Sequence, residues 1–252
     1  MSFHVGADAY WRFIGRYSEL LAVELADYAG VAPGQTALDV GCGPGALSAV
    51  LVERLGPERV AALDPSEPFV DAARTRLPGV DIRLASAEAI PFDDNSFDVA
   101  LAELVVHFMS NPVAGITEMA RVTKTGGTIA ACVWDYGGDT GALSPFWKMA
   151  RTLDPEVDDE SGLAGVRQGQ LAELFRAAGL RDIRSTALTV RVDFESFEQW
   201  WEPFTLRVGP AGAYVQGLSD DARGELKRRC EKSLPSASFT IAASAWTAVG
   251  TV

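Results

Sequence analysis

The stretch "TALDVGCGPGAL", residues 36–47, decides the fold. An apolar run meets three glycines within five positions, Gly41, Gly43 and Gly45, and an apolar helical pattern follows at once. A buried strand that turns through glycines into a helix lets a ligand approach the backbone, because no side chain fills that volume. The turn is not a P-loop, since Ala46 and Leu47 stand where a Walker motif needs lysine and then serine or threonine. Gly41, Gly43 and Ala46 do satisfy G-x-G-x-x-G/A, and Asp64 stands at the distance of a ribose-binding acid, so a dinucleotide fits the spacing. Three details favour a cofactor without phosphate. Asp39, just before the first glycine, would repel a pyrophosphate and suit a cationic amino group. Pro44 stiffens a loop that carries a third glycine. "ASAEAIPF" follows the third expected strand, where an adenine contact falls.

Outward from this stretch, strand and helix alternate. Ala46 to Leu55 reads as a helix, "VAALD" (60–64) as a second strand, and Ser66 as the cap of a helix reaching Leu77. "VDIRLASA" (80–87) and "FDVALAEL" (97–104) read as strands, and Pro112 opens a helix ending near Thr123. "GGTIAACVW" (126–134) is a fifth strand, entered through a Gly126-Gly127 turn. This alternation predicts βαβ units and a parallel, doubly wound sheet covered on both faces. Further on come a Gly-rich loop from 135, an acidic loop (154–162) and a helix from Gln168 to Ala178. A strand (182–194), a helical insert (195–235) holding Trp200-Trp201 and a last strand (239–250) complete the pattern. The two late strands predict an antiparallel pair with an embedded lid. The first thirty residues read as an amphipathic helix, with Phe13, Tyr17, Leu20, Leu21 and Leu25 on one face.

Composition narrows the function. The chain has 252 residues, 48% of them hydrophobic, enough for one sizeable core. Its 34 acidic against 22 basic residues give a net charge of −12, which speaks against a nucleic-acid partner. Three cysteines, Cys42, Cys132 and Cys230, fit neither a disulfide framework nor a metal site, and the two histidines, His4 and His107, leave little for a metal. "MSFHVGADAYWRF" lacks a leader pattern, and no apolar run reaches the ~18 residues of a membrane span. These features predict a cytoplasmic location and are compatible with a small cationic or neutral ligand; they say nothing of oligomeric state.

The motifs together resemble the class I S-adenosylmethionine-dependent methyltransferases, specifically the small-molecule group called methyltransferase type 11. "LDVGCGPGALS" is similar to the family's first motif and "LDPSEPFV" to its second. "ASAEAIPFDDNSFDVAL" is similar to the stretch written D-A-x-x-L-P-F, and "EMARVTKTGGTIAACVWD" to the motif around the fifth strand. "FIGRYS" (13–18) resembles a segment that precedes the domain in one branch. One departure stands out: Ser86 occupies the position where the family often has an acid that accepts from the adenine amino group.

The resemblance implies a Rossmann-like seven-stranded sheet, mostly parallel with an antiparallel C-terminal strand, under a helical lid. It divides the chain, 1–252, into a cap (1–30), a cofactor core (31–136), lid inserts (137–170 and 195–238) and completing core elements (171–194 and 239–252). It implies S-adenosylmethionine as cofactor, S-adenosylhomocysteine as product, and methyl transfer to O, N or C of a small organic acceptor. Gly41, Cys42 and Gly43 would lie against methionine and ribose, Asp64 and Pro65 beside the ribose, and Ser86, Ala87 and Glu88 near adenine. Asp39 would attract the ammonium group, and Arg16 and Tyr17 would reach the carboxylate from the cap. Glu103 and His107, at the end of the fourth strand, are candidates for a general base, for cofactor contact or for shaping the pocket. Trp134, Trp147, Trp200 and Trp201 either line an aromatic acceptor pocket or form the core of the lid. Two other readings stand beside this one. An NAD(P)-dependent oxidoreductase would share the sheet, yet no tyrosine has a lysine four residues on. A protein that binds the sulfonium cofactor without transferring its methyl group fits the same motifs.

Overall fold

The computed structural model describes residues 7–252. His4 and the first residues of the expected N-terminal helix lie outside the described residues. Seven strands form one sheet in the order β3-β2-β1-β4-β5-β7-β6. They are β1 (Ala37–Val40), β2 (Val60–Asp64), β3 (Asp81–Leu84), β4 (Phe97–Glu103), β5 (Thr123–Trp134), β6 (Arg181–Phe194) and β7 (Phe239–Thr251). Pairing is parallel from β3 through β5 and antiparallel where β7 inserts between β5 and β6. Only β7 therefore runs against the rest, as the strand pattern predicts.

The order reverses between β1 and β4. From β1 the chain winds outward to β3, then returns to lay β4 on the other side of β1. An open sheet places its ligand crevice outside the carboxyl ends of such neighbouring strands. β1 is buried along its whole length, and β4 is almost so, because helices cover both faces.

Helices α3 (Ala46–Leu55), α4 (Glu67–Arg76) and α5 (Pro112–Val122) follow β1, β2 and β3–β4 as the sequence predicts. Asn111 caps α5, its side chain accepting from the Ala114 N–H. The N-terminal segment comprises a short helix α1 (Ala7–Tyr10), a π-helical turn (Trp11–Gly15) and α2 (Arg16–Ala29). Gly15 is required there: a Cβ would stand 2.3 Å from the Trp11 ring. That ring is in turn covered by the Arg76 guanidinium of α4, 4.4 Å from its centroid. The cap is thus pinned over the carboxyl end of the sheet.

Two expectations change. Gly126 and Gly127 lie inside β5 instead of before it. Pairing with β4 jumps from Phe97–Thr123 to Val99–Thr128, so the glycines form a bulge, with Gly126 at φ +80°. A Cβ on Gly127 would meet the Asp98 carbonyl at 2.8 Å. Asp98 fastens the bulge, accepting from Lys124 Nζ at 2.7 Å and from the Thr36 N–H at 2.7 Å. The second change is a helix, α6 (Ser144–Leu153), at the end of the region read as a Gly-rich loop. Its apolar residues, Phe146, Trp147 and Ala150, recur at helical spacing after Pro145, but the glycines before it obscure the start.

Beyond β6 the lid comprises α8 (Phe197–Trp201), a 3₁₀ turn (Glu202–Leu206), α9 (Gly209–Gly217) and α10 (Asp220–Ser233), while α7 (Gln170–Ala177) packs on the sheet. The lid's own core is aromatic. Phe146 stacks on Phe204 with centroids 4.4 Å apart, and Phe204 also meets Trp200, Trp201 and Phe13.

Candidate active site

A cavity of about 250 Å³ opens at the carboxyl ends of β1 and β4. Its floor is the glycine turn. The Gly41 N–H and Cys42 N–H both donate to the Leu63 carbonyl, at 2.8 and 2.9 Å, which folds the turn against β2. At Gly41 a Cβ would strike the Val105 side chain at 2.4 Å with φ at +73°. At Gly43 a Cβ would meet nothing within 4 Å, so this is the position where glycine keeps the space over the turn open.

Asp64, at the end of β2, ties two turns together. One carboxylate oxygen accepts from the Gly43 N–H at 2.9 Å and the other from the Ser66 N–H at 2.8 Å. Burial raises its pKa, and these two N–H donors partly offset that. Each oxygen keeps a lone pair for a further donor from the cavity. Pro65, Ser86, Ala87 and Glu88 line the same end. Glu88 accepts from the Asn111 N–H at 3.2 Å, which joins this wall to the start of α5.

Glu103 and His107 line the cavity from the end of β4. Between them Leu104 adopts φ +60°, a left-handed conformation that is strained for a leucine and turns the chain sharply out of the strand. Glu103 is buried with Oε1 lacking a hydrogen-bond partner, and burial, reinforced by the Asp39 charge, pushes its pKa well up. His107 is equally enclosed, its Nδ1 without a partner, and burial pulls its pKa down to about 3. At neutral pH the imidazole is therefore neutral and a weak proton acceptor.

Several expected residues lie outside the wall. Asp39 sits beneath the glycine turn, 1% exposed, one oxygen accepting from Ser48 Oγ at 2.5 Å and the other unpartnered. Its pKa is pushed up to about 7 by burial, which the Ser48 bond counteracts. Cys42 packs with Val70, Ala73 and Leu77 behind the turn. Arg16 lies over the Phe194 ring at 4.8 Å and donates to the Asp193 carbonyl, while Tyr17 sets its ring edge-on to Trp134 at 6.0 Å. Of the four tryptophans only Trp134 lines the cavity. Trp200 and Trp201 are held in the lid core, and Trp147 donates its indole N–H to Glu160 at 2.9 Å.

The structure adds residues that sequence reasoning missed. Tyr10, Phe13 and Ile14 roof the cavity from the cap, one helical turn before Arg16 and Tyr17. Tyr136, Leu143, Glu160, Val208, Gly209 and Pro210 close it from the lid. Phe13 and Ile14 belong to the "FIGRYS" segment, ahead of the Arg16 and Tyr17 named from it. Glu160 was one acid among many in an acidic loop, with no local signal of burial. Among the described residues no group of three His, Cys, Asp or Glu side chains could hold a metal ion, and no helix is long and apolar enough to cross a membrane.

Comparisons with known proteins address this geometry. The family described as "Methyltransferase domain" matches residues 38–131. Malonyl-[acyl-carrier protein] O-methyltransferase of Serratia marcescens is 34% identical over 129 residues, covering 49% of this chain and 50% of that protein. Demethylmenaquinone methyltransferase of Renibacterium salmoninarum is 34% identical over 151 residues, covering 60% and 63%. The chain thus spans about half the length of the curated relatives it matches. Among solved structures, geranyl diphosphate C-methyltransferase from Streptomyces coelicolor superposes with a TM-score of 0.54 at 16% identity over 94% of this chain and 80% of that one. At that identity the likeness concerns the fold. The motifs read from the sequence, the reversal of strand order at β1 and β4 and the matched family agree. Residues 38–131 are a domain of the class I S-adenosylmethionine-dependent methyltransferase family, of the type 11-like group.

Proposed function

We propose that the protein transfers the methyl group of S-adenosylmethionine to a small organic acceptor and releases S-adenosylhomocysteine. One observation carries this reading: a single cavity is continuous from the glycine turn and Asp64 at the strand ends to aromatic and aliphatic groups of the lid. Cofactor and acceptor then share one enclosed space, as a direct transfer requires. The two relatives reported above are methyltransferases, and neither is an oxidoreductase.

The residues present fit the cofactor. Gly43 leaves open the volume that a Cβ would fill. Asp64 retains acceptor capacity for the ribose hydroxyls, with Pro65 beside it, and Ser86, Ala87 and Glu88 form the edge suited to adenine. The unpartnered oxygens of Asp39 and Glu103 lie near the turn, where a cofactor carrying an ammonium and a sulfonium would favour their ionised forms. Gly41 and Cys42 shape the turn from behind, and Arg16 and Tyr17 hold the cap.

When bound, the cofactor supplies an activated methyl group with a good leaving group. What remains for the chain is to hold the acceptor in line and to exclude water. Phe13, Ile14, Trp134, Leu143 and Val208 form a dry wall for that purpose. His107, whose pKa burial pulls down to about 3, and Glu103, whose pKa burial pushes well up, serve as pocket-shaping hydrogen-bonding groups more readily than as a strong base. By this reading residues 31–136 bind the cofactor and 1–30 cap it. Residues 137–170 and 195–238 enclose the acceptor, and 171–194 with 239–252 complete the sheet.

Calorimetric titration tests the proposal. S-adenosylhomocysteine is expected to bind and NADH not to bind; NADH binding without S-adenosylhomocysteine binding would overturn it. Binding without turnover on any acceptor would favour a non-catalytic sulfonium binder instead.

A further inference from the structure

The cavity carries a strong imbalance of charge. Four carboxyl groups line it, from Asp64, Glu88, Glu103 and Glu160, and among the described residues no lysine or arginine does. Three of the four belong to the strand-end half that takes the cofactor. The fourth comes from the lid. Glu160 opens a short 3₁₀ turn (Glu160–Gly162) and is 3% exposed. Its Oε2 accepts from the Trp147 indole N–H, and among the described residues none donates to Oε1.

A buried carboxylate normally has a cation beside it. Two arginines bind neighbours in the loop instead: Arg151 pairs with Asp159 and Asp139, and Arg167 donates to the Ser161 carbonyl. Among the described residues none forms an ion pair with Glu160. Among the described residues the indole N–H is the one donor to it, and the lid side of the cavity is otherwise lined by Tyr136, Leu143, Val208, Gly209 and Pro210. Burial raises its pKa to about 7, as expected for an acid still short of a positive partner. The lid therefore presents one anionic group on an otherwise apolar and aromatic surface, the arrangement that recognises a cation with an apolar body.

We propose that the methyl acceptor is an organic amine, cationic when free in solution, with an aromatic or aliphatic body, and that Glu160 is the residue that selects it; the Glu160 carboxylate takes the ammonium proton, and the freed nitrogen lone pair forms the N–C bond to the methyl group as the S–C bond breaks and S-adenosylhomocysteine leaves. This rests on the methyltransferase reading above. An acceptor carrying a carboxylate or phosphate would find no lysine or arginine among the described lining residues, so the same lining disfavours anionic substrates.

The test uses protein saturated with S-adenosylhomocysteine and calorimetric titration with three amines, 2-phenylethylamine, tryptamine and hexylamine. Each is matched to the alcohol and the carboxylate of the same skeleton. At least one amine is expected to bind about tenfold or more tighter than both of its counterparts. Glu160→Gln keeps an oxygen that accepts from Trp147 and removes only the charge, so it is expected to abolish that preference while S-adenosylhomocysteine affinity stays within about twofold. The proposal is overturned if no amine binds, if an alcohol or carboxylate binds as well, or if the preference survives Glu160→Gln. The wild-type comparison decides by itself should the variant fail to fold. Loss of S-adenosylhomocysteine binding in wild-type protein is a separate result and strikes the methyltransferase reading first.

Discussion

The two halves of the cavity are built by different means. The strand-end half is made of backbone turns: the glycine loop after β1, Asp64 binding the N–H groups of Gly43 and Ser66, and the sharp bend at Leu104. The lid half is made of side chains, with Phe146, Trp147, Trp200, Trp201 and Phe204 packed on one another and a single loop carboxylate reaching the cavity. Backbone turns at strand ends are fixed by the sheet itself, so this half is stiff and its chemistry is set. Side chains on inserted helices can change without disturbing the sheet, so under the proposed function that half is where an acceptor would be chosen.

The largest effect expected separates the halves by stability. Phe146→Ala removes a fully buried ring at the centre of the lid and is expected to cost about 3–5 kcal/mol in denaturant unfolding. S-adenosylhomocysteine affinity of the folded protein should change by no more than about twofold, as for distant sites. A large loss of affinity would show that the halves are coupled. Next in size, Asp64→Ala is expected to weaken S-adenosylhomocysteine by roughly 1.5–3 kcal/mol, since a charged acceptor is removed from the ribose position. Unchanged affinity by calorimetry would place the ribose elsewhere.

A pH series sharpens the same contrast. Asp39 ionises only near pH 7, and Glu103 is displaced in the same direction. A cationic group above the turn favours their ionised forms, so affinity should rise with pH across roughly 5.5–8, by at most about tenfold per unit for each proton released. Stability of the free protein has the opposite sign. Asp39's folded pKa lies above its unfolded value, so its contribution is favourable at low pH and is lost as pH rises from about 4 to about 7. Flat affinity across the range would remove both acids from the cofactor's surroundings. The smallest effect expected is that of Asn111→Ala, about 1 kcal/mol of stability through loss of the α5 cap. Thermal unfolding measures it.

The same division explains what the sequence revealed. β1, α3 and β2 were legible almost residue for residue, because apolar runs, glycine spacing and helix starts are local signals. Gly41, Gly43, Asp64, Pro65 and the 86–88 segment line the cavity for that reason. The bulge at Gly126-Gly127 was legible as glycine and not as position, since its pairing with Val99 is long-range. Leu104 gave no signal, because nothing in a leucine announces a left-handed turn. In the lid the tryptophans were visible but their partners were not. Trp200 and Trp201 turn inward on Phe204, whereas Trp134 faces the cavity, and only the packing of α6 against the late insert decides which. Glu160 was hidden for the same reason: its burial depends on Trp147, thirteen residues earlier and on another element.

The most direct test of the account is a crystal structure of the protein with S-adenosylhomocysteine. The account predicts the nucleoside over the glycine turn, with its ribose hydroxyls at hydrogen-bond distance from Asp64, adenine against the 86–88 segment and the sulfur facing the Trp134 side of the cavity. A nucleoside bound away from Asp64, or in the lid half beside Glu160, would contradict it.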